Sequence, residues 1–469
     1  MDDLRGWSIE EAVSANFGDK RLNKRYGSLL NSLASSPNKS IPASCKGWGE
    51  TIAAYRFFNH KNVTEAGILA PHKKATLERI RYEKIVLIPQ DTTQIDFTGR
   101  QSLSGIGYLS KETGQGFYLH PCIAVTPSRC CLGVVDIQTW TRDELNSREK
   151  RKDKPIEEKE SYRWIKGYQA ANDVAIAAPD TIVVAISDRE GDIYEALEKV
   201  HSEDNKAFWL IRCNQDRNVL NEETAGFDLR LRQKVSSSAP IGQLEFKIPA
   251  GTVNSNSSRR YTRAERVVKQ ELRACTVYLK PPQRKGKNLE SIAINVVHCK
   301  EIDTPLGEEP IEWYLLTSFP IKDAETAMEI VNWYLCRWVI EMFFKVLKSG
   351  CKVEELQFET LKGTVNCITL YMIVAWRILY ITMLGRSCPD IDCNVVFDDN
   401  EWQAVYSVIE KKQPPKEPVK LGKMISMIAK LGGFLGRKSD GEPGAQVMWI
   451  GMQRMRDFTL AWETFHSLH

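Results

Sequence analysis

Two short apolar runs in the middle of the chain each end close to an aspartate. The first, residues 84–89 (KIVLIP), is followed by Asp91, and the second, residues 181–186 (TIVVAI), is followed by Asp188. Short runs of this kind are typical of strands buried within a sheet. Side chains at the ends of neighbouring strands converge, so the sequence predicts a mixed α/β core that brings the two aspartates together.

A third acid, Glu341, lies in a long segment of helical periodicity. Residues 324–348 are predicted to form one helix with a polar stripe, about 80° wide, opposite an apolar side that packs on the sheet. The stripe consists of Tyr334, Arg337, Glu341, Lys345 and Lys348, and the apolar side of Leu335, Val339, Ile340, Phe343, Val346 and Leu347. A carboxylate among cationic groups fits a site that holds a metal ion and also binds phosphates.

Asp91, Asp188 and Glu341 together would supply three hard oxygen donors, which suit Mg²⁺ or Mn²⁺. Two such ions about 4 Å apart can promote phosphodiester transfer. Each signal taken alone also has a structural interpretation. An aspartate after a strand commonly caps a turn, and a charged stripe is commonly the solvent-facing side of a helix. The residues alone leave both interpretations open.

Helical periodicity at both ends of the chain encloses a central region of strand-like runs. The predicted domains are a helical N-terminal domain at 1–65, a catalytic domain at 66–375 and a helical C-terminal domain at 376–469. The N-terminal helices carry Arg21, Arg25 and Arg56 on their outer sides, which fits either a DNA-binding surface or a solvated face. Residues 142–159 are charged and poor in apolar side chains, and are predicted to form a mobile loop.

A β-rich insertion is predicted at about 200–320, and it is basic. The net charge of the 469-residue chain is only +4, which does not by itself indicate a nucleic-acid partner. Residues 206–290, however, carry 17 Lys/Arg against 8 Asp/Glu, a local balance of +9. Arg212 and Arg217 in this segment are therefore candidate phosphate ligands.

Cysteine spacing and hydropathy argue against two other classes of protein. The twelve cysteines include no C-x-x-C pair, which makes a structural zinc site an unfavoured interpretation. The beginning, MDDLRGWSIEEA, does not read as a signal peptide, so a cytoplasmic protein with reduced thiols is expected. The apolar stretch 367–384 carries Arg377 at its centre and is predicted to be a buried helix rather than a membrane span.

The helical stripe spells Y-x-x-R-x-x-x-E-x-x-x-x-x-x-K, and with the two upstream aspartates it resembles the transposases of insertion-sequence family four, bacterial DDE enzymes that include the Tn-five transposase. The resemblance extends to DREGDIY at 188–194, to DTT at 91–93 and to KES at 159–161, which Trp164 follows. It also reaches Gly18-Asp19, YRF at 55–57 and LGGF at 431–434, and so covers most of the chain.

By this resemblance, the catalytic core has a ribonuclease-H-like fold in which Asp91, Asp188 and Glu341 bind two Mg²⁺ or Mn²⁺ ions. The implied activity is cut-and-paste transposition: hydrolysis nicks one strand, the freed 3′-hydroxyl attacks the other strand to form a hairpin, a second hydrolysis opens it, and the 3′ ends join target DNA. The implied partners are double-stranded DNA and a second copy of the chain, and the C-terminal helices would pair the two copies. The implied location is the bacterial nucleoid in the cytoplasm, and no membrane partner is implied.

The resemblance also implies DNA contacts. Trp313, 28 residues before Glu341, is expected to stack on a base flipped from the duplex, although a strand tryptophan more commonly packs in a core. The N-terminal helices are expected to read the terminal repeat. Phosphates near the scissile bond are expected at Tyr334, Arg337 and Lys348, with a further DNA contact at Lys345.

Two other functions fit the same residues. A stand-alone ribonuclease-H-like endonuclease would cut DNA without joining it, and a DNA-binding regulator would have lost catalysis. The presence of all three carboxylates argues against the regulator. A strand-transfer product formed in vitro distinguishes the transposase from the endonuclease.

Overall fold

The structure is a computed structural model of the chain. It describes residues 6–45, 47–100, 102–110, 113–143, 154–200, 205–248, 251–254, 260–283, 289–437 and 440–467. The chain forms two compact units. Unit 1 comprises Met1–Asp153, Ala177–Thr181 and Trp338–His469, and unit 2 comprises Lys154–Ile176 and Ile182–Arg337.

The N-terminal part of unit 1 is helical, as predicted. The helix at Lys20–Ser35 starts at Asp19, whose side chain accepts the backbone N–H of Arg21 at 2.8 Å, a common way to satisfy the first N–H groups of a helix. Its apolar side buries Tyr26, Leu30 and Leu33. The helices are α1 (Gly6–Ala12), α2 (Lys20–Ser35), α3 (Ile41–Ser44), α4 (Trp48–Asn59) and α5 (Glu65–Ile80).

An antiparallel sheet follows these helices in unit 1. Its longest strand, Gln115–Val125, is buried at every residue after the first and pairs with each of the other strands. The strand predicted at 84–89 is present as the first strand of this sheet. The strands are β1 (Ile85–Pro89), β2 (Thr93–Asp96), β3 (Gly107–Tyr108), β4 (Gln115–Val125) and β5 (Cys131–Trp140).

Unit 2 contains a mixed sheet. The pair formed by Ile182–Ser187 and Phe208–Arg212 is parallel, and the other strand pairs of this sheet among the described residues of unit 2 are antiparallel. The segment predicted as a β-rich insertion, at about 200–320, contains most of these strands. The elements are α6 (Tyr162–Ala177), β6 (Ile182–Ser187), α7 (Tyr194–Val200), β7 (Phe208–Arg212), β8 (Asn218–Asn221), β9 (Gly226–Arg230), α8 (Leu231–Ser236), β10 (Pro240–Ile248), β11 (Gly251–Asn254), β12 (Arg260–Arg263), β13 (Arg266–Leu279), β14 (Ile292–Ile302), β15 (Glu312–Thr317) and α9 (Ala324–Leu335).

The rest of unit 1 is helical. Its longest helix, Leu361–Ser387, is long and apolar enough to cross a membrane, but 89% of its most apolar window is buried inside the protein, which confirms the predicted buried helix. Apolar side chains of the last three helices form a core around Trp402, Met424 and Met448. The helices are α10 (Trp338–Lys345), α11 (Leu361–Ser387), α12 (Asp399–Glu410), α13 (Leu421–Leu431) and α14 (Ala445–Ser467).

The single helix predicted for 324–348 is interrupted, so that prediction was wrong. Helix α9 ends at Leu335, and the N–H groups of Cys336 and Arg337 bond three residues back, each at 3.0 Å, in a tightened turn. Helix α10 begins at Trp338 and continues as a π-helical turn, Val346–Gly350. The expected apolar side is nevertheless buried at Val339, Ile340, Phe343, Val346 and Leu347.

The charged loop predicted at 142–159 lies mostly outside the described residues, which stop at 143 and resume at 154. Its last part contains a short 3₁₀ turn, Ile156–Glu158, whose first residue is buried. The predicted mobility of the loop stays a prediction.

Candidate active site and nucleic-acid interface

Asp188 lies directly after β6, at the carboxyl end of the parallel strand pair. In the register of β6 and β7, Ser187 is opposite Ile211. The next residues of the two strands are Asp188 and Arg212, so the carboxylate and the guanidinium start from the same edge. Both are half-buried. The carboxyl ends of parallel strands are where open α/β sheets bind their ligands.

The 3₁₀ turn that follows Asp188, Arg189–Gly191, is held by several contacts. Oδ1 of Asp188 accepts the N–H of Glu190 at 2.8 Å, and the Glu190 carboxylate pairs with Arg163 at 2.6 Å. A Cβ at Gly191 would lie 2.2 Å from the Ser187 hydroxyl, so only glycine fits there. These contacts fix the backbone from which Asp188 and Arg189 project.

A buried ion pair attaches the same turn to the chain beyond β7. The Asp192 carboxylate is fully buried, accepts the N–H groups of Asn214 and Gln215 at 2.7 and 2.8 Å, and pairs with Arg217 at 2.5 Å. The Arg217 side chain is only 9% exposed. Arg217 is thus engaged within the protein, and the phosphate contact predicted for it stays a prediction.

Tyr334, Arg337 and Trp313 lie in the same unit. The rings of Trp313 and Tyr334 pack edge to face, with centroids 6.1 Å apart. Tyr334 is buried, and burial raises its pKa, with Asp188 adding to the rise while the neighbouring Arg337 and Arg212 oppose it. The phenol therefore keeps its proton at neutral pH and can donate a hydrogen bond.

Three arginines of unit 2 are electrostatic neighbours close to Asp188. Burial lowers the pKa of the Arg212 guanidinium, and the neighbouring Arg189 and Arg337 lower it further, while Tyr334 and Asp188 act in the opposite direction. Arg189, Arg212 and Arg337 are therefore electrostatic neighbours in a cluster that contains Asp188. Guanidinium groups placed in this way can bind the oxygens of a phosphate.

Asp91 follows β1 in unit 1. Its Oδ1 accepts the N–H of Thr92 at 2.7 Å, and the side chain is half-buried. The Thr92 hydroxyl bonds to Nδ1 of His120 at 2.8 Å, and Nε2 of His120 bonds to Gln90 at 3.1 Å. This chain of hydrogen bonds holds the backbone at the end of β1.

Glu341 and the two lysines of the predicted stripe also lie in unit 1. Glu341 is half-buried in the first turn of α10, and Lys345 is exposed in its last turn. Lys348 lies in the π-helical turn, and its Nζ is 2.9 Å from Oε1 of Glu354. The same oxygen accepts the N–H of Asp96 at 3.0 Å. Lys348 is therefore paired with a carboxylate in the protein without DNA.

The N-terminal arginines lie on the outer side of their helices. Arg21 is 91% exposed and pairs with Asp19 at 2.9 Å. Arg56 is exposed in the last turn of α4, and Arg25 is half-exposed on α2. Their role in DNA binding stays a prediction.

The metal-binding triad also stays a prediction. Across the described residues, no group of three or more His, Cys, Asp or Glu side chains is arranged to hold a metal ion. Asp188, Arg212, Tyr334, Arg337 and Trp313 are brought together within unit 2, whereas Asp91 and Glu341 belong to unit 1.

Family models match three successive regions of the chain. Residues 4–63 match a model described as Transposase DNA-binding, residues 139–377 match Transposase DDE domain, and residues 373–463 match Transposase Tn5 dimerisation domain. The DDE model alone spans about half of the chain, so the protein belongs to the DDE transposases. The three matches together make it a Tn5-like transposase of an insertion-sequence family, which confirms the resemblance in the sequence and the mixed α/β fold with helical ends.

One solved structure similar to the chain is the cryo-EM structure of the piggyBac transposase synaptic complex with hairpin DNA. It has a TM-score of 0.33 and 10% sequence identity, and the match covers 82% of this chain and 70% of that chain. The family assignment rests on the domain matches and not on this likeness.

Two residues that adjoin or contact predicted site residues, Arg189 next to Asp188 and Glu354 paired with Lys348, were not among the sequence predictions. Arg189 had a signal, because it stands between Asp188 and Glu190 in the DREGDIY segment. Glu354 had none, because its contact with Lys348 depends on the π-helical turn and the 3₁₀ turn Val353–Glu355 that follows it.

Proposed function

We propose that the protein is a cut-and-paste transposase that binds the terminal repeats of its element, cleaves the ends and joins the 3′ ends to target DNA. The observation that supports this most directly is the cluster in unit 2, where Asp188 lies beside Arg212 and close to Tyr334 and Arg337. One carboxylate among cations and a phenol fits a site for a phosphodiester.

The donor chemistry of Asp91, Asp188 and Glu341 fits a hard divalent cation. All three are half-buried, and a backbone N–H orients each aspartate through one oxygen. In our proposal these residues would hold two Mg²⁺ or Mn²⁺ ions. Bound ions of this kind activate the attacking water or 3′-hydroxyl and stabilise the leaving oxygen.

The protein's own groups would bind and orient the scissile phosphate. Arg337 would neutralise its non-bridging oxygens, and Tyr334, which keeps its proton, would donate a hydrogen bond to one of them. Holding the phosphate in line with the attacking oxygen supplies most of what a phosphoryl transfer needs from a protein. Successive nicking, hairpin formation, hairpin opening and joining would all use this arrangement.

Trp313 would receive a base displaced from the duplex during hairpin formation. The ring is half-buried and supported by Tyr334, so it is a rigid platform. Stacking on an aromatic ring contributes about 1–3 kcal/mol, which offsets the few kcal/mol needed to unstack a base.

The flanking regions would bring the DNA ends together. We propose that the domain at 1–65 reads the terminal repeat, that the domain at 376–469 pairs two copies of the chain on two ends, and that the domain at 66–375 carries the chemistry at the nucleoid. The proposed DNA contacts of the N-terminal domain are Arg21, Arg25 and Arg56. Lys348 would bind a phosphate near the scissile bond, and Lys345 would make a further DNA contact.

A reconstitution with a donor end, a target plasmid and Mg²⁺ tests this proposal. Wild-type protein should yield nicked, hairpin and joined products. Asp188→Asn should bind the ends normally but cut them at least about 1,000-fold more slowly, which corresponds to about 4 kcal/mol of transition-state stabilisation. The matched control is Asp180→Asn, at an exposed aspartate in the turn before β6.

Each other outcome indicates a different function. Breaks without joined products from the wild-type protein would indicate a stand-alone endonuclease. Binding without any cleavage would indicate a regulator. If Asp188→Asn cuts as fast as Asp180→Asn, Asp188 is not part of the active site.

A further inference from the structure

Arg189 has the position of a site residue but no role in the steps above. It follows Asp188 directly, it is exposed, and it lies in a turn whose backbone is fixed by the contacts of Asp188, Glu190 and Gly191. A long cationic side chain on a fixed backbone needs little ordering of the main chain to bind a ligand.

Two acids that follow Arg189 in the chain, Glu190 and Asp192, are engaged with other arginines. Glu190 pairs with Arg163, whose side chain is only 13% exposed, and Asp192 is buried against Arg217. Within the part of the chain that the structure describes, neither Arg189 nor Arg212 forms an ion pair with a carboxylate.

Arg189 and Arg212 are close enough to repel each other. The register of β6 and β7 places Arg212 beside Asp188, one residue from Arg189, and the charge of Arg189 acts on the Arg212 guanidinium. Because Arg212 is half-buried, water screens this repulsion incompletely. An anion that contacts both groups would remove the repulsion, and guanidinium groups bind phosphate oxygens through paired N–H donors.

We infer that Arg189 and Arg212 together bind one phosphate of the DNA strand in the active site, adjacent to the phosphate that Tyr334 and Arg337 hold. This inference rests on the proposed function, because it assigns a second phosphate to the same site. It makes Arg189 a positioning residue: the side chain holds the strand one phosphate away from the bond that is cut.

The test uses the full-length protein and a duplex transposon end in a binding titration at several salt concentrations. Arg189→Gln should weaken binding about tenfold and reduce the slope of log K against log[salt] by about 0.9, the value for one phosphate contact. Arg189→Lys should restore the slope and only part of the affinity. Lys166→Gln, at an exposed cation on α6, is the control and should change neither quantity beyond the general loss of one distant charge.

Duplexes with a single neutral methylphosphonate, scanned across the cleavage site, identify the phosphate. At one position the methylphosphonate should weaken the wild-type protein about as much as Arg189→Gln does, and should not weaken Arg189→Gln further. The inference is overturned if Arg189→Gln keeps the wild-type salt slope, or if every methylphosphonate weakens both proteins equally.

The two proposals fail in different ways. Wild-type protein that never cuts or joins the ends would overturn the proposed function, whatever the salt slope. Wild-type protein that cuts and joins, together with an Arg189→Gln variant that binds normally, would overturn only the role of Arg189. Melting temperatures of the variants should match the wild type because Arg189 is exposed, and Arg189→Lys keeps the test valid if Arg189→Gln is less stable.

Discussion

Several cations predicted to bind DNA already pair with carboxylates in the protein. How deeply each pair is buried determines how readily a phosphate could replace the carboxylate. Arg21 with Asp19 is largely exposed, and a pair of this kind contributes at most about 1 kcal/mol, so a phosphate can replace the carboxylate. Arg217 with Asp192 is buried, and breaking such a pair costs about 3–5 kcal/mol. Arg217 therefore fits a structural role better than a role in DNA binding.

Lys348 is an intermediate case that leads to a prediction. Lys348 pairs with Glu354, and both side chains are about 30% exposed. In the proposed complex with DNA, Glu354 would compete with a phosphate for the ammonium group. Glu354→Gln should raise the affinity for a transposon end about two- to fivefold at low salt, because it removes a competing negative charge while the amide oxygen can still accept the N–H of Asp96.

Fluorescence anisotropy with a labelled duplex measures this affinity. The control is Glu355→Gln, at a 66%-exposed acid that pairs with Lys352. Lys348→Ala should lower the affinity, and the double variant with Glu354→Gln should bind like Lys348→Ala alone. Weaker binding by Glu354→Gln than by the wild type would show that Glu354 positions Lys348 rather than competing for it.

The closeness of Asp188 and Arg212 could be predicted from the sequence. Asp188 and Arg212 each end a short apolar strand, and parallel strands bring such ends together. The engagement of Arg217 was not predictable, because its partner Asp192 lies 25 residues away along the chain and the burial of the pair depends on tertiary packing.

At the level of elements, periodicity predicted which residues are buried better than it predicted where helices end. The apolar side of 324–348 is buried as expected, yet the segment is α9, a turn at Cys336–Arg337, α10 and a π-helical turn. No glycine or proline marks the interruption at Cys336. Strand β5 was not among the sequence predictions, although its first residues, 131–135, are all buried.

The π-helical turn gives the second prediction. Gly350 ends it, and a Cβ there would lie 3.0 Å from the Trp449 ring on α14. Trp449 is buried, so Gly350→Ala should overpack this contact and destabilise the protein by about 1–3 kcal/mol.

Thermal and urea unfolding measure the effect. The matched control is Gly49→Ala in α4, where a Cβ meets nothing within 4 Å and alanine should stabilise the helix by about 0.5–1 kcal/mol. If Gly350→Ala gains stability as Gly49→Ala does, the turn has room to adjust, and the contact with Trp449 does not require glycine at position 350.

At the scale of the whole molecule, one buried polar network connects regions that match different family models. Glu11 lies in the region matched to Transposase DNA-binding, and its carboxylate bonds to Nδ1 of His72 at 2.6 Å and to Arg79 at 2.8 Å. Arg79 lies over the ring of Trp376, a residue within both the DDE and the dimerisation matches. A change at His72 should therefore disturb the contacts that link Glu11, Arg79 and Trp376 within unit 1.

The protonation state of His72 follows from its two partners. Nε2 accepts the backbone N–H of Val134 at 2.9 Å, so the ring hydrogen is on Nδ1 and is donated to Glu11, and the imidazole is neutral. Burial lowers the pKa of His72 below its ordinary value of 6.5, although Glu11 opposes this. Below about pH 6.5 the unfolded chain binds a proton at this residue that the folded chain does not, so stability is lost as the pH falls.

The third prediction follows from this sign. His72→Gln should be less stable than the wild type at pH 7.5, because Glu11 and Val134 lose well-placed partners. Between pH 6.5 and 5, however, its stability should fall less steeply, with a difference of up to about 1.4 kcal/mol per pH unit. Calorimetric melting at several pH values measures both effects, and His466→Gln, at an exposed histidine, should leave the wild-type slope unchanged. Equal slopes for His72→Gln and the wild type would mean that His72 binds its proton equally in the folded and unfolded chains, and the network would then not limit stability in acid.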